Sequence, residues 1–391
     1  MAKKEVVNQR IGAIAPSASL SIASKAKAMK AAGRDVCDLA AGEPDFDTPE
    51  HIKEAAAKAL ADGHTKYTPV AGIPALREAI AAKLLRENGL HYTADQVIVC
   101  SGAKHALYNV FMALLREGDE VIIPSPYWLS YPEMVRMAGG ESVFLPGREE
   151  KGFRVSPDEL EAAMTSRTKA VIINSPSNPT GCVYTREELR ALADVALRHG
   201  VYIVADEIYE KLLYDGAEHH SVGNLAPEIL EWTITVNGFS KAYAMTGWRL
   251  GYVAAPLFLT KAMSALQSHS TSGTTSFAQY GAVAALNGPH DFLAAMGAAF
   301  TERRAYLLRR LEDISGVTCS KPMGAFYAMS NIARFGLDSI SFAQRLLEEQ
   351  NVATVPGIAF GAPDHIRLSY ACGMDVLEKS LDRLGLFIES L

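Results

Sequence analysis

The sequence predicts an α/β fold with a doubly wound sheet. Helical periods alternate with short β-branched runs from about residue 50 to 260. The runs are apolar at consecutive positions, as in strands buried on both faces beneath helices of a parallel sheet. At 391 residues the chain is long enough for one large domain and a second, smaller one.

Taken in order, the first helix-like segment is His51 to Ala61. The second is Ile73 to Asn88, opened by Gly72 and carrying Pro74 in its first turn, where a missing N–H costs nothing. Strand-like runs follow at Gln96 to Cys100, Glu120 to Ile123, Ala170 to Asn174, Val201 to Ala205 and Thr233 to Val236. No repeat, linker or low-complexity stretch interrupts them.

Composition narrows the function classes. Hydrophobic residues make up 49% and charged residues 21%, ordinary for a soluble globular chain. The formal charge of -6 lacks the basic excess of a general nucleic-acid binder. No apolar run reaches the length of a membrane span. The opening M-A-K-K-E-V-V-N-Q-R has no apolar signal-peptide core, and Glu5 is out of place in a transit peptide, so the expected location is the cytoplasm. Cys37, Cys100, Cys182, Cys319 and Cys372 lie far apart without a C-x-x-C pair. Buried, reduced thiols are expected, with neither a metal site nor a disulfide framework.

Doubly wound sheets carry their chemistry just beyond the carboxyl ends of the strands. Those ends read S-G-A-K, P-S-P-Y-W, S-P-S-N-P-T-G, D-E-I-Y and N-G-F-S-K. A loop lysine is ordinarily a solvated charge. Lys241, however, follows a buried run and has Arg249 eight positions on. Desolvation and a nearby cation lower an amine's pKa, as a lysine that attacks a carbonyl requires. Asp206 emerges from an apolar strand, where a carboxylate needs a cation or hydrogen bonds. Pyridoxal chemistry wants such a carboxylate on the ring nitrogen, which it keeps protonated as an electron sink. Tyr209 follows at a spacing that suits a hydrogen bond to the ring's 3-oxygen, and Glu207 reads as structural. Ser101, Gly102 and Ala103 lie between a strand and an amphipathic helix, where free amides and one hydroxyl would face an anion. Asn178 offers an amide to the ring oxygen. Trp128 offers a stacking face. Each feature also has a structural explanation, from core tryptophan to Pro-rich turn. Their succession at consecutive strand ends is what points to a pyridoxal-phosphate (PLP) enzyme.

With these residues in view, the sequence resembles the fold-type I aminotransferases, specifically the class I aspartate aminotransferase subgroup common in bacteria. The likeness runs nearly end to end. Its most specific stretches are A-G-E-P-D-F-D-T-P, K-Y-T-P-V-A-G-I-P-A-L-R, S-P-S-N-P-T-G, D-E-I-Y, S-K-A-Y-A-M-T-G-W-R-L-G-Y and R-L-S-Y. The resemblance implies a mixed, mostly parallel doubly wound sheet in a large PLP domain over residues 48–290. A smaller α/β domain would combine residues 1–47 with 291–391. It implies that Lys241 binds PLP covalently and then moves the proton between the substrate Cα and the cofactor's C4′. Asp206 would meet the ring nitrogen, with Asn178 and Tyr209 on the 3-oxygen. Ser101, Gly102, Ala103, Ser240 and Arg249 would hold the phosphate. Trp128 would stack on the ring and approach the substrate. Arg367 would clamp the substrate α-carboxylate bidentately, and Gly42 would let backbone come close to it. Tyr67 would reach the phosphate of a neighbouring subunit, making the enzyme a homodimer with shared sites. Many relatives carry a hydroxyl residue three positions before the lysine, whereas this chain has Gly238.

Substrate acidity is read from a substitution of cations. One branch of the family binds the distal carboxylate with a neighbouring subunit's arginine, from a segment matching Ser268 to Ser276. Here no Arg or Lys occurs between Lys261 and Arg303. Lys104 is the replacement, since a cation at a helix N-terminus needs nearby anions to justify it. Ser17 or Ser19 would assist as a hydroxyl donor. The resemblance therefore implies transfer between aspartate or glutamate and 2-oxoglutarate or oxaloacetate, with prephenate a further substrate. A PLP lyase or decarboxylase on the same fold is the nearest rival, because Arg367 suits any α-amino acid. A PLP-sensing transcription regulator would need a helix-turn-helix module before residue 40, and too few residues precede it.

Overall fold

A computed structural model describes residues 7–14 and 18–391. Its strands are β1 (Cys37–Asp38), β2 (Val97–Cys100), β3 (Glu120–Ser125), β4 (Glu141–Pro146), β5 (Thr168–Asn174), β6 (Tyr202–Asp206) and β7 (Thr233–Gly238). They continue as β8 (Gly251–Ala254), β9 (Thr318–Cys319), β10 (Tyr327–Asn331), β11 (Val352–Ala353), β12 (Val355–Pro356) and β13 (His365–Ser369). Seven of them form one sheet in the order β2-β8-β7-β6-β5-β3-β4. Neighbours from β4 through β7 are parallel, while β8 runs antiparallel between β7 and β2. The sheet is mixed and mostly parallel, as the family resemblance implies.

Successive strand residues feed opposite faces, which makes the sheet doubly wound. Ile98, Val121, Ile123, Ile172 and Val204 enter one core beneath the helices Ala103–Leu114 and Leu257–Ser270. Ile122, Val171, Ile173, Ile203 and Ala205 enter another, beneath the helix Arg186–Arg198. The anticipated helices form as Glu50–Ala61 and Pro74–Asn88, the second with Pro74 at its first position and Gly89 closing it in the left-handed region. Cys37, Cys100 and Cys182 are buried free thiols, whereas Cys319 and Cys372 are only partly covered.

A second unit contains a four-stranded antiparallel sheet, β12-β13-β10-β9, packed on the helices Asp291–Asp313 and Met374–Glu389. The early strand β1 pairs in parallel with β11, more than 300 residues later. This pairing brings the segment from Ala40 onward across the carboxyl ends of the large sheet. Among the described residues no helix is long and apolar enough to cross a membrane.

Candidate active site

The carboxyl ends of β2, β3, β5, β6 and β7 converge on a cavity of about 440 Å³, a size suited to a small cofactor and its substrate. Its walls include Gly42, Ala103, Lys104, Trp128, Asn178, Asp206, Tyr209, Ser240, Lys241, Arg249 and Arg367, all anticipated from sequence. Ser101 and Gly102 sit behind Arg249 at the rim.

Asp206 ends β6 and is 4% exposed. Burial pushes its carboxyl up to about 6, against the Tyr131 hydroxyl and the Ile208 N–H that donate to it. The Tyr131 bond is 2.7 Å. Lys241 lies across the cavity and donates to the Gly42 carbonyl. Burial is the main cause holding its ammonium down to about 8; Glu43 opposes the shift, while Arg367 and Arg249 reinforce it. Tyr209 is buried, and its hydroxyl lies 3.1 Å from that of Tyr327. Burial raises its pKa well above the ordinary 10, so it remains a neutral donor.

Arg367, on β13, is 3% exposed and has no acidic partner among the described residues. It donates to Asn178 Oδ1 at 3.0 Å and to the Ala40 carbonyl at 2.9 Å, and lies over the Tyr327 ring. Its Nε is buried without a partner. A buried guanidinium in that state is costly until an anion meets it.

The turn after β2 differs from expectation in which amides are free. Ser101 N–H donates to His105 Nδ1 at 3.3 Å, and Gly102 N–H to the Cys100 carbonyl at 2.7 Å. The Ala103 and Lys104 amides, at the first two positions of the helix, have no intrahelical acceptor and are the available donors. Gly102 has φ +84, and a Cβ there would stand 2.5 Å from Arg249 Nη2. Among the described residues Arg249 bonds only backbone, the Thr246 carbonyl at 2.9 Å and the Ser101 carbonyl at 3.5 Å. Gly238 packs so close that a Cβ would fall 2.9 Å from Gly251 Cα. That position serves the β7–β8 contact.

Lys104 Nζ lies 5.0 Å from the Trp128 ring centroid, with no carboxylate partner among the described residues. Burial and then Arg249 lower its pKa. Trp128 is half-buried and meets Tyr131 edge-on at 5.3 Å. Tyr67 is 97% exposed and stands outside the cavity. Ser17 lies outside the described residues, and although Ser19 falls in the helix Ala18–Ala31, its side chain does too. Glu207 is buried behind the site, accepting from Ser221 at 2.7 Å and from the Val222 N–H at 3.2 Å.

Sequence reasoning missed Tyr131, Tyr327, Glu43 and Thr246. A buried carboxylate signals that it needs a donor, but nothing local says which of 15 tyrosines supplies it. Glu43 accepts from Thr246 Oγ1 at 2.6 Å, tying the segment over the cavity mouth to the turn after Lys241.

Among the described residues, the site holds two guanidiniums without acids, a buried carboxylate without a cation and an amine poised to lose its proton. This donor set fits PLP, whose phosphate and ring nitrogen, with a substrate carboxylate, supply the missing charges. Residues 34–384 match the profile of the family described as aminotransferase class I and II. The chain is 54% identical to an aspartate aminotransferase of Geobacillus stearothermophilus, covering 98% of both chains. It is 48% identical to an aspartate/prephenate aminotransferase of Cereibacter sphaeroides, over 98% of this chain and 99% of that one. The solved aspartate aminotransferase of Thermus thermophilus with maleate superposes with a TM-score of 0.95 at 48% identity, over 98% of this chain and 100% of that one. On the profile, the identities and the shared fold, the chain belongs to the class I and II aminotransferases, whose cofactor is pyridoxal phosphate.

Proposed function

We propose that the protein is an aspartate aminotransferase, moving an amino group between aspartate or glutamate and 2-oxoglutarate or oxaloacetate in a ping-pong cycle. Prephenate is a further substrate in this reading, in keeping with the name of the Cereibacter relative. One observation carries it: a single cavity offers two cations without acidic partners among the described residues, Arg367 buried in one wall and Lys104 over Trp128 in another. Two such cations in one cavity suit a substrate with two carboxylates, and the Thermus relative was solved with maleate, a dicarboxylate. Lyase and decarboxylase alternatives find no support in the relatives, which are named as aminotransferases.

When bound, PLP supplies an electron sink for charge developing at the substrate Cα. Asp206 would keep the ring nitrogen protonated, and Tyr209 and Asn178 would donate to the ring oxygen. The Ala103 and Lys104 amides, the Ser101 and Ser240 hydroxyls and Arg249 would hold the phosphate, the Gly102 N–H being spent on the Cys100 carbonyl. Trp128 covers the ring. Arg367 would fix the α-carboxylate, orienting the Cα–H toward Lys241, which would carry that proton from Cα to the cofactor's C4′ and, in the second half-reaction, back again. A lysine pKa of about 8 leaves a useful neutral fraction for that task near physiological pH. In this reading the chain divides into a large part over residues 48–290 and a small part of 1–47 with 291–391, and the enzyme works in the cytoplasm.

Lys104→Ala tests the substrate assignment. It is expected to lower kcat/KM for aspartate and glutamate by about 1.5–3 kcal/mol, the worth of a charged hydrogen bond. Alanine, without a distal carboxylate, should be nearly unaffected. Equal losses on aspartate and alanine would mean that Lys104 serves the cofactor or the fold.

Assembly follows from Tyr67, whose exposure suits a hydroxyl offered to the phosphate of a second subunit. Mixing inactive Lys241→Ala with inactive Tyr67→Ala subunits is expected to restore activity, because one site of each hybrid homodimer carries neither lesion. Verified subunit exchange with no recovery would count against a shared site.

A further inference from the structure

Tyr67 is the most exposed large hydrophobic side chain among the described residues, yet the loop that carries it is tightly fastened. Two fully buried glutamines do the fastening. Gln279, on the helix Ser276–Asn287, accepts from the Ile73 N–H at 2.8 Å and donates to Thr68 Oγ1 at 3.1 Å and the Thr274 carbonyl at 3.0 Å. Gln267, on the helix Leu257–Ser270, donates to the Val70 carbonyl at 2.8 Å and the Val99 carbonyl at 3.0 Å. Both are 0% exposed. A buried primary amide is justified only when its donors and acceptor are used. Three of these bonds go to residues 68–73, just after Tyr67, while Gln267 Oε1 also accepts from Asn109 Nδ2 at 3.0 Å and from Cys100 Sγ at 3.3 Å. Gly273 is packed against the same segment, where a Cβ would lie 2.5 Å from Thr68 Oγ1. On the other side of Tyr67, Ser276 Oγ donates to the His64 carbonyl at 2.6 Å.

Part of the network serves the chain's own core, since Gln267 also ties Val99 and Asn109, but the bonds to Thr68, Val70 and Ile73 fix the loop itself. An exposed tyrosine gains nothing from a rigid backbone unless its hydroxyl must arrive at a fixed place. We infer that Gln279 and Gln267 are positioning residues for Tyr67, holding its loop so that the hydroxyl meets the cofactor phosphate of a second copy of this chain. The inference rests on the reading of Tyr67 given above. Neither glutamine touches the cofactor. They act by removing the entropy cost of ordering the loop when the phosphate binds.

The test compares the dissociation constants of PLP and of pyridoxal, which lacks the phosphate, by absorbance titration of the cofactor-free dimer. Gln279→Met, nearly isosteric, is expected to weaken PLP about tenfold, within the worth of a hydrogen bond to a charged group, and pyridoxal less than twofold. Thr68→Val, which removes only one acceptor of the clamp, serves if the methionine variant fails to fold, and should shift the same ratio by a smaller factor. In a Tyr67→Phe background the effect of either variant on the ratio should vanish, because the group they position is gone. A Tyr67→Phe protein with an unchanged ratio would overturn the reading of Tyr67 itself. If Tyr67→Phe weakens PLP relative to pyridoxal while Gln279→Met and Thr68→Val leave the ratio alone, or lower both affinities equally, the glutamine clamp is merely structural and the inference falls.

Discussion

Lys241→Ala is expected to abolish turnover, by about 10⁴-fold or more, and to remove the borohydride-reducible link between protein and cofactor. Two roles disappear together, the covalent attachment and the proton transfer at Cα. Lys104 is the only other lysine among the described residues lining the cavity, and its ammonium is over Trp128 and not on the Gly42 carbonyl that holds Lys241. It cannot take over either role. PLP should still bind the variant through Arg249, the Ala103 amide and Asp206, so dialysis would remove it more easily while titration would still show saturation. Lys241→Arg keeps a cation and should be as inactive as the alanine form, since a guanidinium stays protonated near neutrality. A Lys241→Ala protein turning over at near wild-type rate would sink the assignment.

Much of this site is legible in the sequence because the chemistry sits at strand ends, and strands buried on both faces announce themselves. β5 and β6 carry unbroken apolar runs and β7 a β-branched T-I-T-V, so the residues that follow them are easy to single out. β4 escapes, because Glu141–Pro146 is an edge strand with several exposed residues. β8 escapes too. It is four residues long, and composition does not encode that it runs antiparallel between β7 and β2. Within the site, what stays hidden is contact made by tertiary pairing. The Lys241–Gly42 bond spans 199 positions and the Arg367–Asn178 bond spans 189. The first depends on β1 finding β11, two dipeptide strands with no periodicity to read, and the second on bringing β13 of the four-stranded sheet to the loop after β5. The free amides after β2 lie about one residue later than expected, because the Gly102 turn spends its own N–H on the Cys100 carbonyl.

The second large effect is expected at Asp206, and there catalysis and stability should move in opposite directions. Asp206→Ala or Asp206→Asn should slow the chemical step by several orders of magnitude and weaken PLP retention, through loss of the carboxylate that keeps the ring nitrogen protonated. Without the cofactor, the same carboxylate is buried, with Tyr131 as its main donor and no cation in a salt bridge among the described residues. Its pKa rises from 3.8 to about 6 on folding. The native state therefore keeps the proton between those values while the unfolded chain has released it, so stability falls as pH rises through that window. Above about pH 6 the loss is complete, and the rise from 3.8 to about 6 corresponds to about 3 kcal/mol at most. Asn cannot ionise and still offers the Tyr131 hydroxyl an acceptor. Cofactor-free Asp206→Asn should accordingly melt higher than wild type at about pH 7.5, with the gap narrowing toward about pH 5. Adding PLP should raise the wild-type melting temperature more than the variant's, because only the carboxylate gains a cationic partner. Thermal scans at the two pH values, with and without PLP, read all four quantities. An asparagine variant with unchanged kcat on aspartate, or one whose melting temperature relative to wild type is the same at both pH values, would show that Asp206 does not carry the buried, cofactor-directed charge assigned to it.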